Sequence, residues 1–389
     1  MTKRRFHIAT EEELCGGKVS DVYFERTREA LGERDADKMV VGEVRTRSLP
    51  DDLPWGVLAG VEEVANLLEG LDIQVWSLPE GTVFRAGDPV LTIKGPYTAF
   101  GHFETAFLGL LCQASGIATR SARCRLAAGD RTLLSFGARR MHPAIAPMIE
   151  RACYVGGCDG VSTIAAADVM GIEPTGTMPH ALILILGDTL EAAWAFDEAM
   201  PPEVKRIVLI DTFEDEKFET LRVAEAMDDK LFGVRFDTPS SRRGDLYDLM
   251  EETRWELDIR GYESVKFFSS GGLDEYNIPD LNPICDGYGV GTSLSNARTI
   301  NFAFDIVEIE GKPFTKRGKK SGGKFLARCP TCGASEVLYW KRDPGRCECG
   351  EEREFLNECL IEDGKIVADL PSATEIRDYV LEQIEGLSL

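Results

Sequence analysis

The chain has 389 residues, 43% hydrophobic and 28% charged, with a formal net charge of −22. That length suits two or three domains with real cores. A surface this acidic repels nucleic acid and anionic membrane over most of its area, so an anionic ligand needs a local basic island.

From the N-terminus, the charged stretch MTKRRFHIATEEE has no apolar run behind it, so no signal peptide is read. Helices are predicted over Asp21–Leu31 and Leu58–Leu71, and a buried helix over Phe103–Ser115. Between them Leu78-Pro79-Glu80-Gly81 and Gly87-Asp88-Pro89-Val90 punctuate short β-rich runs, the texture of a small antiparallel sheet. Residues 1–120 are therefore expected to form an N-terminal α+β domain. From 121 to 300 the pattern becomes strand, turn, helix. Strands are predicted at Thr132–Phe136, Gly157–Gly160, Glu173–Gly176, Arg206–Ile210, Phe232–Phe236, Val265–Ser269 and Ile284–Tyr288. Helices such as Pro143–Tyr154, Asp215–Met227 and Gly244–Ile259 lie between them. Such alternation indicates parallel β, in a barrel or a doubly wound sheet. The longest apolar run, Ala181–Leu186, is far short of the roughly 20 residues that span a bilayer. From 301 to 389 a basic run, Lys316 to Lys324, leads into a cysteine-rich segment and a closing helix at Ala373–Ile384.

In a parallel barrel, working residues sit at the C-terminal strand ends. The predicted strands are followed by Phe136, Arg139 and Arg140; by Ser162 and Thr163; by Thr175 to His180; by Asp211 and Thr212. Arg235 and Asp237, then Ser269 to Gly272, then Gly289 to Ser293 complete the series. The clusters containing Gly271, Gly272, Gly289, Gly291 and Thr292 let the backbone approach a phosphate and present N–H donors. Arg235 and Asp237 project to the same side of a strand, one suited to phosphate and one to sugar hydroxyls, or else form a local ion pair. Phe136 offers a face to a flat heteroaromatic ring, and Arg139 a guanidinium to a carboxylate or pyrophosphate. His180 reads either as a nucleophile or acid/base group, or as a hydrogen-bonded structural histidine. Together the strand ends suit a phosphorylated polyol.

Eleven cysteines without an export signal read as thiols or metal ligands rather than disulfides. Cys329 and Cys332, then Cys347 and Cys349, form two close pairs around a short β-like loop, the spacing of a tetrahedral Zn²⁺ site. Four thiolates leave no open position, so the ion is read as structural.

With these residues in hand, the chain resembles the nicotinate phosphoribosyltransferases, particularly the short archaeal type with a C-terminal zinc knuckle. Ser20-Asp21-Val22-Tyr23, Phe136-Gly137-Ala138-Arg139-Arg140, Gly176-Thr177-Met178-Pro179-His180, Asp211-Thr212, Arg235-Phe236-Asp237, Ser269 to Gly272 and Gly289 to Leu294 follow in the family's order. The resemblance implies an irregular α/β barrel of the type II phosphoribosyltransferase kind, beside an N-terminal α+β domain and a small zinc-binding lobe. It implies transfer from phosphoribosyl pyrophosphate to nicotinate, in a cytoplasmic homodimer with shared sites. Tyr23 would come from the partner chain to sandwich nicotinate against Phe136. Asp211 and Asp237 would hold ribose hydroxyls or Mg²⁺, and Arg235 with the glycine loops the 5′-phosphate. His180 matches the histidine that ATP phosphorylates, although the family expectation before it is alanine or glycine rather than Pro179. Ser162 stands where the nicotinamide enzyme has an aspartate, so it favours the acid, and Ser162→Asp is expected to shift preference to the amide.

Three other readings stay open at this level. A quinolinate phosphoribosyltransferase shares the architecture but needs cations for a second carboxylate and has no use for His180. A zinc-ribbon binding protein could use Lys341, Arg342 and Arg346 on a barrel scaffold. A barrel enzyme acting on another sugar phosphate would carry the same glycine loops. Arg139, Arg140 and Arg235 supply the basic island, and the lysines of 316–324 either join it at the pyrophosphate or form a solvated loop.

Overall fold

The computed structural model describes residues 4–242 and 244–389. These form two compact units, one of residues 1–119 and 298–383, the other of 120–297 and 384–389, with the division inside the helix Glu104–Ala128. The helix predicted over Phe103–Ser115 thus runs on to Ala128, because residues such as Ile117, Ala118, Ala122 and Cys124 keep it apolar and buried.

The first unit is built on a seven-stranded sheet in the order Lys312–Pro313, Phe302–Ile309, Met39–Thr46, Leu91–Pro96, Gln74–Ser77, Glu358–Glu362, Lys365–Ile366. All its pairs are antiparallel. Val44, Val75, Leu91, Ile93 and Phe304 share its core with Val64 and Leu68 of the helix Val61–Leu68, and with Phe107 and Leu111. The central strands also bury three acids, Glu43, Asp305 and Glu308. Each has a counter-charge: Lys324 lies 3.1 Å from Glu43, Lys316 and Lys319 lie 2.6 and 2.7 Å from Asp305, and Lys341 lies 3.4 Å from Glu308. Much of the lysine-rich run is thereby committed to neutralising buried carboxylates, which otherwise carry a large desolvation cost. It is not a freely solvated loop. The strands Ser335–Tyr339, Lys324–Arg328 and Glu354–Phe355 make a separate small antiparallel sheet around the four clustered cysteines.

The second unit holds a five-stranded parallel sheet in the order Thr132–Ser135, Gly287–Val290, Lys266–Ser270, Gly233–Phe236, Ile207–Leu209. Its members are short and buried on both faces, as parallel strands covered by helices are. The last predicted strand, Ile284–Tyr288, lies three residues further on, because Ile284 and Cys285 cap the preceding turn onto the carbonyl of Leu281. The helices Thr189–Ala199, Glu216–Met227 and Leu246–Asp258 each begin on an aspartate, Asp188, Asp215 or Asp245, whose carboxylate accepts first-turn N–H groups.

Two predicted strands, Gly157–Gly160 and Glu173–Gly176, are not regular strands. Leu134 bridges Gly160 in parallel, and Thr175 N–H donates to the Val161 carbonyl at 2.7 Å. These short staves carry the order round from Thr132–Ser135 through 160–161 and 175–180, where His180 meets Asp211 beyond Leu209. Pro174 and Pro179, which cannot donate, and Gly176 between them keep a continuous ladder from forming. The result is an irregular α/β barrel.

Candidate active site and cysteine centre

The C-terminal ends of the barrel strands enclose a cavity of about 310 Å³ lined by Phe136, Arg139, Arg140, Arg235, Asp237, residues 270–274, Gly289 and residues 291–293. Most of the residues singled out from the strand ends therefore meet in one place. Phe136 lies against the backbone of Gly289, where an added Cβ would fall 2.3 Å from its ring. Arg235 covers the ring, its Cζ 5.5 Å from the centroid. A guanidinium over an aromatic face gains from the ring quadrupole, more so when little water intervenes.

Arg235 also contacts the Thr177 hydroxyl and lies 3.7 Å from the Asp237 carboxylate. Ser270 donates its hydroxyl to Asp237 at 2.7 Å. The next two residues, Gly271 and Gly272, have φ of +90° and +76°, a left-handed backbone that strains any other residue. This turn brings the main chain past Asp237: a Cβ on Gly271 would lie 3.2 Å from its Oδ1. Among the described residues, the buried Arg235 Nε and Thr212 Oγ1 have no hydrogen-bond partner.

His180 opens the helix His180–Leu186 instead of closing a strand, and its Nε2 lies 3.1 Å from Asp211 Oδ1. Burial pushes the Asp211 carboxyl above its ordinary range; His180 pulls it back, and the Asp237 charge adds to the rise. Burial likewise lowers the Arg235 guanidinium, opposed by Asp237 and Asp211 and reinforced by Arg139. Opposed charges held out of water in this way are a mark of reactive sites.

Four expected residues are not part of the cavity lining: the paired His180 and Asp211, Ser162 and Tyr23. Ser162 donates its hydroxyl to the buried Glu150 at 2.6 Å, and its backbone N–H donates to the same oxygen at 2.8 Å. A serine has one proton to give, and here Glu150 takes it. Tyr23 belongs to the first unit, exposed near the start of the helix Val22–Glu33, beside the Asp21–Thr105 contact that fixes the helix entry. Sequence reasoning missed Glu150, and gave Thr177 and Ser270 no role beyond their places in the strand-end motifs. A signal for Glu150 was available: Ala146, Ile149, Glu150 and Cys153 fall on one helical stripe, and all four are buried.

The Sγ atoms of Cys329, Cys332, Cys347 and Cys349 all lie within 4.8 Å of one another, with Cys329 to Cys349 at 3.5 Å and Cys332 to Cys347 at 3.4 Å. A Zn–S bond of about 2.3 Å gives a tetrahedron with S···S edges of about 3.8 Å, so the four sulfurs fit a metal such as zinc. Cys359 lies outside the cluster, in the strand Glu358–Glu362. Among the described residues, no helix is long and apolar enough to cross a membrane.

Comparison with known proteins meets this geometry from outside. Family models described as quinolinate phosphoribosyl transferase, N-terminal and C-terminal domains, match residues 21–115 and 117–305. Nicotinate phosphoribosyltransferase pncB1 of Mycobacterium tuberculosis is 31% identical over 79% of this chain and 76% of its own. The crystal structure of nicotinate-nucleotide pyrophosphorylase from Pyrococcus furiosus superimposes with a TM-score of 0.97 at 51% identity, over 100% of both chains. Human nicotinic acid phosphoribosyltransferase shares the fold, with a TM-score of 0.73 at 18% identity over 95% of this chain and 94% of its own. The barrel is thus that of the type II phosphoribosyltransferases, and the chain, an enzyme that transfers phosphoribosyl groups, belongs to the nicotinate phosphoribosyltransferase family.

Proposed function

We propose that the chain transfers the phosphoribosyl group of phosphoribosyl pyrophosphate to nicotinate, forming nicotinate mononucleotide and pyrophosphate in NAD salvage. The reading rests above all on Phe136, which packs against Gly289 and lies under Arg235 in the lining of a cavity walled by Asp237 and the two glycine loops. Phe136 stacks on the pyridine ring. Arg235 with Gly271, Gly272, Gly289, Gly291 and Thr292 takes the 5′-phosphate. Arg139 faces the pyrophosphate or the base carboxylate. Asp211 and Asp237 hold the ribose hydroxyls or Mg²⁺, which when bound neutralises the pyrophosphate leaving group. The transition state has oxocarbenium character, so positioning and charge dominate over acid–base help.

His180 is the residue that ATP would phosphorylate. With Nε2–H given to Asp211, its Nδ1 keeps a free lone pair. The active unit is proposed to be a homodimer, with Tyr23 of the partner subunit closing over the base. Exposed apolar side chains support such a partner: Ile164 and Val169 on one barrel-unit helix, Leu184 and Ile185 on the next. The cysteine cluster is proposed to hold structural Zn²⁺.

Quinolinate is the competing substrate, favoured by the description of the matching family models. The His180–Asp211 pair speaks against it, since a decarboxylating enzyme has no use for a phosphorylatable histidine. A pyrophosphate-release assay of nicotinate, nicotinamide and quinolinate, each with and without ATP, decides the matter. Turnover of nicotinate without CO₂ release is expected; release of CO₂ from quinolinate would overturn the reading. In the ATP arm, γ-label on the wild type and none on His180→Ala is expected, and an unlabelled wild type removes the phosphohistidine step.

A further inference from the structure

Glu150 is a fully buried acid on the helix Ala146–Val155, sharing a face with Ala146, Ile149 and Cys153. A carboxylate left alone there would be strongly destabilising. It is met instead by every donor of two consecutive residues. Ser162 N–H and Oγ–H donate to Oε1 at 2.8 and 2.6 Å, while Thr163 N–H donates to Oε2 at 2.8 Å and its hydroxyl reaches the same oxygen. Two carboxylate oxygens offer about four acceptor positions, so the clasp is full.

The gripped residues are not arbitrary. Ser162 and Thr163 directly follow the stave 160–161, which bonds to Leu134 and Ser135 of the strand that delivers Phe136. Gly160 is level with Leu134, so Ser162 and Phe136 leave adjacent staves at the same height. The helix Ile164–Met170 starts at once afterwards, with Thr163 as its N-cap residue but without a cap bond from its side chain. The Thr163 hydroxyl, which would ordinarily cap the helix, is turned to Glu150.

We propose that Glu150 is a positioning residue for the base. By taking both hydroxyl protons it fixes the 162–163 turn and leaves Ser162 presenting lone pairs. Held this way Ser162 does not itself favour the acid, since lone pairs repel a carboxylate; Glu150 acts on the base through the placing of the turn beside Phe136, with arginine supplying the positive charge that meets the carboxylate. This rests on the proposed nicotinate reaction. Glu150→Gln keeps the shape but turns one acceptor oxygen into a donor facing an N–H and a hydroxyl.

The test is steady-state kinetics on the full chain. Glu150→Gln is expected to raise KM for nicotinate about fivefold or more, with kcat and KM for phosphoribosyl pyrophosphate within about twofold. In a background of Ser162→Ala with Thr163→Val the same change should have a smaller further effect, since two of its four donors are gone and the backbone N–H groups remain. Should Glu150→Gln not fold, that double variant alone should show the selective rise in nicotinate KM. A parallel rise in both KM values, an undiminished effect in the double-variant background, or wild-type kinetics in every variant overturns the proposal. A wild type inactive on nicotinate overturns the functional reading, and this inference with it.

Discussion

Phe136 shows how much one contact can depend on a missing atom. Its ring occupies the space that a side chain at position 289 would need, and Arg235 lies over it. Gly289→Ala should therefore push the ring off its seat, at an overpacking cost of about 1–3 kcal/mol. We expect KM for nicotinate to rise about tenfold, with a smaller effect on phosphoribosyl pyrophosphate, and the thermal midpoint to fall; an unchanged nicotinate KM would mean the ring does not carry the base. At this scale the sequence was informative about identity and less so about orientation. The arginines, aspartates and glycines at strand ends were legible because a parallel strand must stop in a loop, and the loop residues were unusual. That Ser162 spends its proton on Glu150 was not legible, because the direction of a hydroxyl depends on a partner twelve residues away on a different element. It also changes what Ser162→Asp would report. That variant sets a second carboxylate against Glu150, so a shift in base preference would mix repulsion with recognition, and Ser162→Ala is the cleaner probe.

The elements read best where periodicity and caps agreed. The helices predicted over Asp215–Met227 and Gly244–Ile259 are Glu216–Met227 and Leu246–Asp258, each begun by an aspartate cap, and the closing helix is Ala373–Ile384 at both ends. The staves at 157–160 and 173–176 read worst, since glycine and proline there permit an extended path without a ladder. The lobe around the cysteines has its own logic. Its small sheet buries Phe325 against Trp340 and Phe355, too little to hold a fold of this size without a further tie. Substituting Cys347→Ser, or stripping the metal with a chelator, is expected to release about one zinc per chain and to expose Lys341 to Arg346 to trypsin. Metal analysis and limited proteolysis check this; a lobe that stays protease-resistant without metal would show that the aromatic cluster suffices.

For the molecule as a whole, the net charge of −22 coexists with arginines gathered at one cavity, the island that the composition demanded. If Tyr23 completes the site of a second copy, two inactive variants should rescue each other. Tyr23→Ala mixed in equal amounts with Arg235→Ala, after unfolding and refolding together, should recover roughly a quarter of wild-type activity, because half the dimers are mixed and each has one intact site. No recovery would place Tyr23 within its own chain's site or outside any. The path of the chain has one more consequence. The strand Met39–Thr46 is paired on one side by Leu91–Pro96 but on the other by Phe302–Ile309, which leaves the ribosome more than 250 residues later. Residues 120–297 are complete by then. During synthesis the barrel can close while the earlier sheet still shows an open apolar edge, so this protein matures out of order, the last part made finishing the first part begun.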